Sequence, residues 1–376
     1  MKQTFKGLAS ERASENQRTP PANWQQRLKT LCQQDMTPQE RHPYIVALRE
    51  NLFPNPDLIN HHKVTRNTAI PNLPTTTLLF LIKACRHLRD WPLVVHCAKE
   101  YQKRLDRTTS SNTLHHRAID NLHLLSRAYQ HLGLFHPAEK ALQRAMGNGN
   151  DRADRQRTID EYRQLQQRVK ALPKGIDTLQ ADPLRLTPLQ SHHEKDFLWQ
   201  YADPKIAELC NLPNFDSEDE DWQQWLKANQ EKSGDRLFAI NHLYWGFIGS
   251  VSLELSREFG FFYYWLGADF QGYGYGPNAL AILLDWASRH SGLRRCYATA
   301  YKDNIPSHKA MSKVGFRPLP LKVILPGNTD YEEDLFCWGD RQSDRLSLAE
   351  IEQLFIDRDF AGQVLPIASW RNTEKG

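Results

Sequence analysis

The chain has 376 residues, 40% of them hydrophobic, and a formal net charge of +4. This length accommodates two domains with cores of their own. No apolar run approaches the roughly 18 residues of a membrane-spanning helix, and the N-terminus lacks a signal-peptide core, so we expect a cytoplasmic protein with no membrane contact. The six cysteines are scattered without a Cys-x-x-Cys pair, which argues against a disulfide framework or a zinc cluster and predicts that most are buried.

The N-terminal half is predicted to be helical. Residues 1–22 are polar and predict a disordered tail, and the pattern from 23 to 175 is helical and strand-poor. The segments 87–98 and 131–142 look alike, because in each a helix ends, an aromatic follows and a new apolar helix begins. The second segment resembles a tetratricopeptide unit, with its matching positions at Ala128, Tyr129, Leu132, Gly133, Phe135, Ala138, Leu142 and Ala145. An ordinary helical bundle is the alternative.

A charged helix over 152–169 and a Pro/Gly-rich stretch then predict a domain boundary near 175–182. The second domain is predicted to span 183–341, and a C-terminal tail 342–376. Ser347 and Glu350 predict a capping box that opens a tail helix over 351–356. The predicted strands are 184–189, 236–240, 248–255, 261–266, 294–301 and 331–338, and the predicted helices among them are 194–199 and 221–229.

The run at residues 271–276, Gln-Gly-Tyr-Gly-Tyr-Gly, predicts a phosphate-binding turn. It follows the apolar strand 261–266 and precedes the helical pattern 279–286. Glycines let backbone N–H groups converge, and the N-terminus of the helix adds the positive end of its dipole. Pro277 suits the first helical turn, where its missing N–H costs little.

The spacing of these glycines narrows the kind of phosphate site. A dinucleotide-binding turn needs Gly-x-Gly-x-x-Gly, which the strict alternation at Gly272, Gly274 and Gly276 does not match. A triphosphate loop needs Gly-Lys-Ser/Thr, but Pro277 and Asn278 follow the last glycine. A pyrophosphate site of another kind, such as one for coenzyme A, and a strand-to-helix turn without a ligand both stay open on this turn alone.

A second segment, residues 304–316, predicts a short helix after the strand 294–301. Asn304 is a good N-cap, Pro306 suits the first turn, and Gly315 is a good terminator. Together the two segments resemble the GNAT superfamily of acyl-CoA-dependent N-acyltransferases. The residues that match its motifs are Gln271, Gly274 and Gly276 in the loop and Asn304, Ser307, Lys313, Gly315 and Phe316 in the helix.

The resemblance covers about residues 183–340, and the run 183–189 is similar to the opening of the branch that includes ribosomal-protein N-terminal acetyltransferases. It implies an α+β fold, a mixed and mostly antiparallel sheet flanked by helices, here preceded by an all-α, helical-repeat-like domain. It also implies acetyl-CoA or another acyl-CoA as co-substrate and no metal. The residues expected to bind the co-substrate are Tyr264, Trp265, Leu266, Gln271, Gly272, Tyr273, Gly274, Tyr275, Gly276 and Asn304.

The catalytic side chains depart from the family pattern. Many relatives protonate the leaving thiolate with a tyrosine seven residues after the asparagine, where this chain has Met311. The role passes to Ser307, although a serine there also suits a helix cap. Some relatives place a glutamate five residues before the asparagine, where this chain has Thr299. Glu254, on a central strand, is then the candidate base, with a solvated carboxylate and a water-mediated mechanism as the alternatives.

The expected function is acetyl-CoA-dependent N-acetylation of an amine on a protein or peptide that the helical domain recruits. A small-molecule amine is the alternative acceptor. A second alternative, motivated by the missing tyrosine and glutamate, is an interaction protein that binds acyl-CoA without turnover. Nucleic acid is not an expected partner, because the basic residues of the N-terminal half are interspersed with acidic ones.

Overall fold

The structure, a computed structural model, describes Leu48 and residues 70–108, 112–148, 151–203, 206, 215, 221–231, 236–325, 328–357 and 363–366. The predicted disordered tail, 1–22, lies outside these residues. Contacts divide the chain into one unit ending at Tyr129 and resuming over Pro137–Glu161, and a second unit of Gln130–His136 and Tyr162 onward. Within the described part, no helix combines the length and apolarity needed to cross a membrane.

From residue 70 onward the helical half contains successive α-helices, as predicted, while all of the predicted range 23–69 except Leu48 lies outside the described residues. They are α1 (Thr75–His87), α2 (Trp91–Arg107), α3 (Asn112–His131), α4 (Phe135–Asn148) and α5 (Arg152–Lys170). Asp90 caps α2, since its side chain accepts a hydrogen bond from the Leu93 N–H at 3.1 Å. The alanines that the sequence placed between helices are buried, among them Ala128, Ala138 and Ala145, each at 0% exposure.

The two segments that look alike in sequence also share a local geometry. In each, a helix ends at a histidine, His87 or His131, and the next helix begins four residues later. The third position of each segment has a left-handed backbone, with φ of 57° at Arg89 and 64° at Gly133. The turn is therefore repeated 44 residues apart, while the tetratricopeptide assignment itself stays a prediction.

The second half is built on one nine-stranded sheet in the order β1-β2-β3-β4-β5-β6-β8-β7-β9. The strands are β1 (Gln180–Ala181), β2 (Leu184–Pro188), β3 (Arg236–His242), β4 (Gly246–Ser256), β5 (Phe259–Leu266), β6 (Arg295–Tyr301), β7 (Arg317–Leu325), β8 (Asn328–Gly339) and β9 (Gln363–Pro366). The β5–β6 pair is parallel and the others are antiparallel. The expected mixed, mostly antiparallel sheet is confirmed. The strands β1, β7 and β9 were not predicted from the sequence.

Helices cover both faces of the sheet. The helices involved are α6 (Glu194–Tyr201), α7 (Trp222–Glu231), α8 (Tyr275–His290), α9 (Ile305–Lys313) and α10 (Asp344–Asp357). On the side that we call the α8 face, α8 and α9 lie over a core that includes Phe238, Val251 and Leu283. On the opposite side, the α10 face, α6 and α7 cover one part of the sheet and α10 another.

The C-terminal tail departs from the prediction. The helix α10 begins at Asp344, three residues before the predicted capping serine, and the Ser343 side chain accepts a hydrogen bond from the Leu346 N–H at 3.3 Å. The predicted capping box was therefore wrong, because Ser347 lies inside the helix and is fully buried. Glu350 instead contacts Arg295 on β6. After α10, β9 pairs with β7, so the tail contributes to the sheet.

The cysteines within the described residues are buried, as the sequence predicted. They are Cys85, Cys97, Cys296 and Cys337. Burial raises the pKa of the Cys337 thiol to about 11, and the pKa of Cys296 is also raised by burial. These thiols are therefore neutral packing groups at physiological pH.

Candidate active site at the opening between two strands

The sheet opens between its only parallel neighbours among the described strands. Three residue pairs join β5 to β6, from Phe259 with Arg295 to Phe261 with Tyr297. Beyond them β5 continues to Leu266 paired with β4, and β6 continues to Tyr301 paired with β8. The edges of β5 and β6 that would face each other are therefore separated, and we call this gap the opening.

Backbone N–H groups of β5 point into the opening. The Gly267 N–H donates to the Ile248 carbonyl on the β4 side at 2.9 Å. Successive N–H groups of a strand alternate between its two edges. The N–H groups of Tyr264 and Leu266 therefore face away from β4 and into the opening, where they can stabilise negative charge on an oxygen.

A cavity of about 790 Å3 passes through the opening. Eleven of the twelve residues expected at the site line it: Glu254, Tyr264, Trp265, Leu266, Gln271, Gly272, Gly274, Tyr275, Gly276, Asn304 and Ser307. Tyr273, the remaining one, projects from the loop with 68% exposure and stacks on Tyr275. The structure therefore brings residues from β4, β5, the glycine loop and α9 to one cavity.

The glycine loop adopts a conformation that requires glycine. Gly272 and Gly274 have φ of +84° and +83°, in the left-handed region. The Gln271 side chain ties the loop to the end of β5 by donating to the Leu266 carbonyl at 3.0 Å. Gly274 is the N-cap of α8, so the loop leads its backbone directly into the first turn of the helix.

The first turn of α8 suits an anionic group. Its leading N–H groups, at Tyr275 and Gly276, have no intrahelical acceptor, and Pro277 removes a further unsatisfied donor. A Cβ at Gly276 would lie 2.8 Å from the Tyr264 ring, so a side chain there would collide with the strand. The close approach brings these donors against β5, and the helix dipole adds partial positive charge. This cradle fits the pyrophosphate of an acyl-CoA.

The helix α9 supplies the other wall on the α8 face. Asn304 caps it, accepting a hydrogen bond from the Ser307 N–H at 3.2 Å, and Pro306 lies in the first turn as predicted. Ser307 and Met311 both line the cavity, and Met311 is otherwise packed in the core at 1% exposure. Lys309 and Lys313 also line the cavity, so the cationic side chains that α9 contributes suit an anionic co-substrate.

On the α10 face the cavity is lined by a different chemistry. Glu254 projects from β4 on the side of Ser252 and away from the core residues Val251 and Leu253. Across the opening, β6 and β8 contribute Thr299, Tyr301 and Glu333. Two carboxyl groups therefore reach the cavity on this face from opposite sides of the opening, an arrangement that suits a cationic amine.

Sequence reasoning missed Glu333. It lies on β8 directly opposite Tyr301 on β6 and opposite Val323 on β7. Burial raises the pKa of its carboxyl above the usual value, and a hydrogen bond with Thr299 partly opposes the rise. The apolar run that follows it, 335–338, favours a strand, but nothing local indicates that this position meets a cavity.

A partly buried polar network holds α10 over this face. The Arg295 guanidinium donates to Glu350 at 2.6 Å and to Glu258 at 2.9 Å, and the Tyr297 hydroxyl donates to Glu350 at 2.6 Å. The hydrogen bond between Arg295 and Glu350 raises the pKa of Arg295. Burial, and then the hydrogen bond between the Tyr297 hydroxyl and Glu350, raise the pKa of Tyr297. Both side chains start from the β6 segment that still pairs with β5, so α10 and its cavity-lining Phe355 are anchored at the base of the opening.

Residues 183–317 match the family model for the acetyltransferase (GNAT) domain. The second half of the chain therefore carries a GNAT domain, of the class that transfers acyl groups from acyl-CoA to amines, as the two motifs predicted. No curated protein matches the chain.

Several solved structures are similar to part of the chain. The microcin C7 self-immunity acetyltransferase MccE, in complex with acetyl-CoA and AMP, shares 20% identity over 46% of this chain and 99% of that chain, with a TM-score of 0.39. RimJ of Mycobacterium smegmatis, in complex with CoA-disulfide, shares 19% identity over 45% of this chain and 89% of that chain, with a TM-score of 0.36. Spermidine N-acetyltransferase of Vibrio cholerae, in complex with CoA and spermine, shares 16% identity over 42% of this chain and 96% of that chain, with a TM-score of 0.38.

Proposed function

We propose that this protein acts in the cytoplasm and transfers the acetyl group of acetyl-CoA to the N-terminal amine of a protein or peptide. The opening between β5 and β6 is the observation that carries the proposal. It unites a backbone cradle for a pyrophosphate, N–H groups directed at an acyl oxygen, and a carboxylate-lined face for a cationic acceptor.

Each residue of the donor site has a definite task in this proposal. The N–H groups of Gly276 and its neighbours hold the pyrophosphate, and those of Tyr264 and Leu266 stabilise the oxyanion as charge develops on the thioester oxygen. Ser307 lies on the cavity wall with a hydroxyl that can donate to the departing thiolate. Met311 has no such proton and is buried, so it takes no part.

The breadth of the α10 face favours a peptide as the acceptor. Its cavity walls come from separate elements, with Trp225 and Asn229 from α7, Glu254 from β4 and Phe355 from α10. A peptide can place its terminal ammonium beside the carboxylates while its following residues leave through such an open side. We propose in addition that the helices α1–α5, with their repeated turn, recruit the acceptor protein.

The test couples binding to turnover. Thermal unfolding is measured with increasing acetyl-CoA, and thiol release is then followed with peptides that carry a free N-terminus. The same peptides with a blocked N-terminus are the matched controls, and a polyamine and an amino-sugar represent small amines. We expect stabilisation by acetyl-CoA and thiol release that depends on the free N-terminus.

Other outcomes replace parts of the proposal. Release with small amines alone would overturn the peptide acceptor. Stabilisation by acetyl-CoA without release from any acceptor would instead indicate an interaction protein that binds acyl-CoA. A melting temperature that acetyl-CoA does not change would overturn the assignment of the donor site itself.

A further inference from the structure

One of the two glutamates that line the cavity, Glu333, comes from a strand outside both sequence motifs. On the α10 face, Glu333 of β8 stands beside the part of β6 that has separated from β5. Thr299, Tyr301 and Glu333 share one side of the sheet, because a strand places every second residue on the same face and directly paired residues face the same way. All three line the cavity.

We infer that Glu333 is the general base that takes the proton from the acceptor amine, an inference that rests on the proposed function. The Thr299 side chain is hydrogen-bonded to its carboxyl and orients it. Thr299 occupies the position at which the sequence lacks a carboxylate on β6. Strand β8, which pairs with β6, therefore supplies the carboxylate that β6 lacks.

The surroundings of Glu333 suit a base more than a solvated charge. Val323 from β7 and Phe355 from α10 give apolar walls, while Tyr301, Tyr263 and Glu254 are the other titratable groups that line this face of the cavity. Burial raises the pKa of Glu333, so its carboxylate binds a proton more readily than an exposed one. Glu254 lies on β4, across the opening, and places a second negative charge near a bound ammonium.

The proton balance of the reaction is complete with these groups. Glu333 accepts one proton from the ammonium and releases it to water. The freed nitrogen forms the C–N bond with the thioester carbonyl carbon, the C–S bond breaks, and the electron pair leaves with sulfur. The second proton that nitrogen loses goes to the thiolate, by way of the Ser307 hydroxyl, so the products are an amide, the free thiol and one proton.

The test compares Glu333→Gln with Glu333→Asp and with Glu332→Gln. Glu332 is the matched control, since it lies one residue away, is exposed, and forms an ion pair with Lys322. Thiol release above the enzyme-free rate is followed from pH 6 to 9 with the free-N-terminus peptides, and with hydroxylamine, which is largely unprotonated at neutral pH and needs no base to lose an ammonium proton. Acetyl-CoA affinity is measured for each variant.

For Glu333→Gln we expect kcat with the peptides to fall by about 100-fold or more at pH 7. Its acetyl-CoA affinity and its hydroxylamine reaction should stay within about threefold of wild type, and the rising limb of its pH profile should move to higher pH. Glu333→Asp should keep part of the rate and the original limb, and Glu332→Gln should behave as wild type.

A melting temperature confirms that the variant folds. Because the folded-state pKa of Glu333 is raised, its ionisation opposes folding as pH increases through and above its unfolded value, so Glu333→Gln should be at least as stable as wild type at pH 7. A folded Glu333→Gln with the wild-type rate and pH profile would overturn the inference alone. If wild type gives no thiol release above the enzyme-free rate with any acceptor, hydroxylamine included, the proposed function and this inference are overturned together.

Discussion

At the opening, the two faces of the sheet present groups of opposite charge to the cavity. On the α8 face, backbone N–H groups of the glycine loop and of α8 converge, and Lys309 and Lys313 add positive charge. On the α10 face, Glu254 and Glu333 bring carboxyl groups from different strands. The α8 face therefore suits an anionic co-substrate, and the α10 face suits a cationic amine.

The difference also lies in how each face is built. The α8 face is built from two short contiguous segments, because a tight turn and a helix N-terminus are local structures. The α10 face is assembled from β4, β6, β8 and α10, which are distant in sequence. A binding site made of backbone leaves a local motif, whereas one made of side chains from many strands leaves none.

The largest expected effect comes from breaking the α8 face at its turn. Gly274→Glu forces a side chain onto a backbone with φ of +83° and places a negative charge beside the pyrophosphate cradle. We expect the Kd for acetyl-CoA to rise more than about 100-fold, measured by calorimetry. Gly147→Glu is the matched control, since a side chain at Gly147 would point into open space and the backbone φ there is not in the left-handed region. An unchanged Kd in Gly274→Glu would contradict the cradle.

The second effect separates the two faces. Arg295→Met removes the guanidinium partner of Glu350, and α10 keeps only the Tyr297 hydroxyl as its contact from β6 to this carboxylate. Because Glu350 is partly exposed, we expect a loss of about 2 kcal/mol in the free energy of unfolding, somewhat below the cost of a fully buried pair. Urea denaturation measures it. The Kd for acetyl-CoA should stay within about twofold of wild type, and a large rise in that Kd would show that the faces are not independent.

A smaller effect is expected at the leaving group. Ser307→Ala removes the hydroxyl from the cavity wall while the helix keeps its cap at Asn304. We expect kcat to fall by about tenfold with little change in the KM for acetyl-CoA, because the lost contact forms only as the thiolate departs. Ser312→Ala, on the same helix, is the control for helix stability. Equal kcat values for both variants would remove Ser307 from the mechanism.

The smallest effect distinguishes a structural from a binding role for Asn304. Its side chain caps α9, so Asn304→Ala should lower the free energy of unfolding by about 1 kcal/mol, and Asn304→Ser should restore most of that loss. Thermal unfolding of the two variants checks the cap. If the Kd for acetyl-CoA rises equally in both, then Asn304 also contacts the co-substrate through its amide.

The secondary structure was readable from the sequence where patterns are local. The glycine loop, the cap at Asn304 and the terminator at Gly315 follow from the conformations that single residues favour. The short strand β9 and the real start of α10 were missed, because β9 exists through its pairing with β7 and Ser347 is buried by tertiary packing. The mistaken capping box shows that a local signal fails when Glu350 has a stronger partner in Arg295.

The sequence by itself determined the glycine loop and the helix start on which the proposed donor site depends, because a backbone anion site needs glycines and a helix start at consecutive positions. It also determined that Met311 cannot give a proton to the thiolate. Only the tertiary structure decided that β5 and β6 part after three residue pairs, and that Glu333 reaches the resulting cavity next to Thr299. Strand order decides which side chains become neighbours, and that order depends on contacts between residues far apart in the chain.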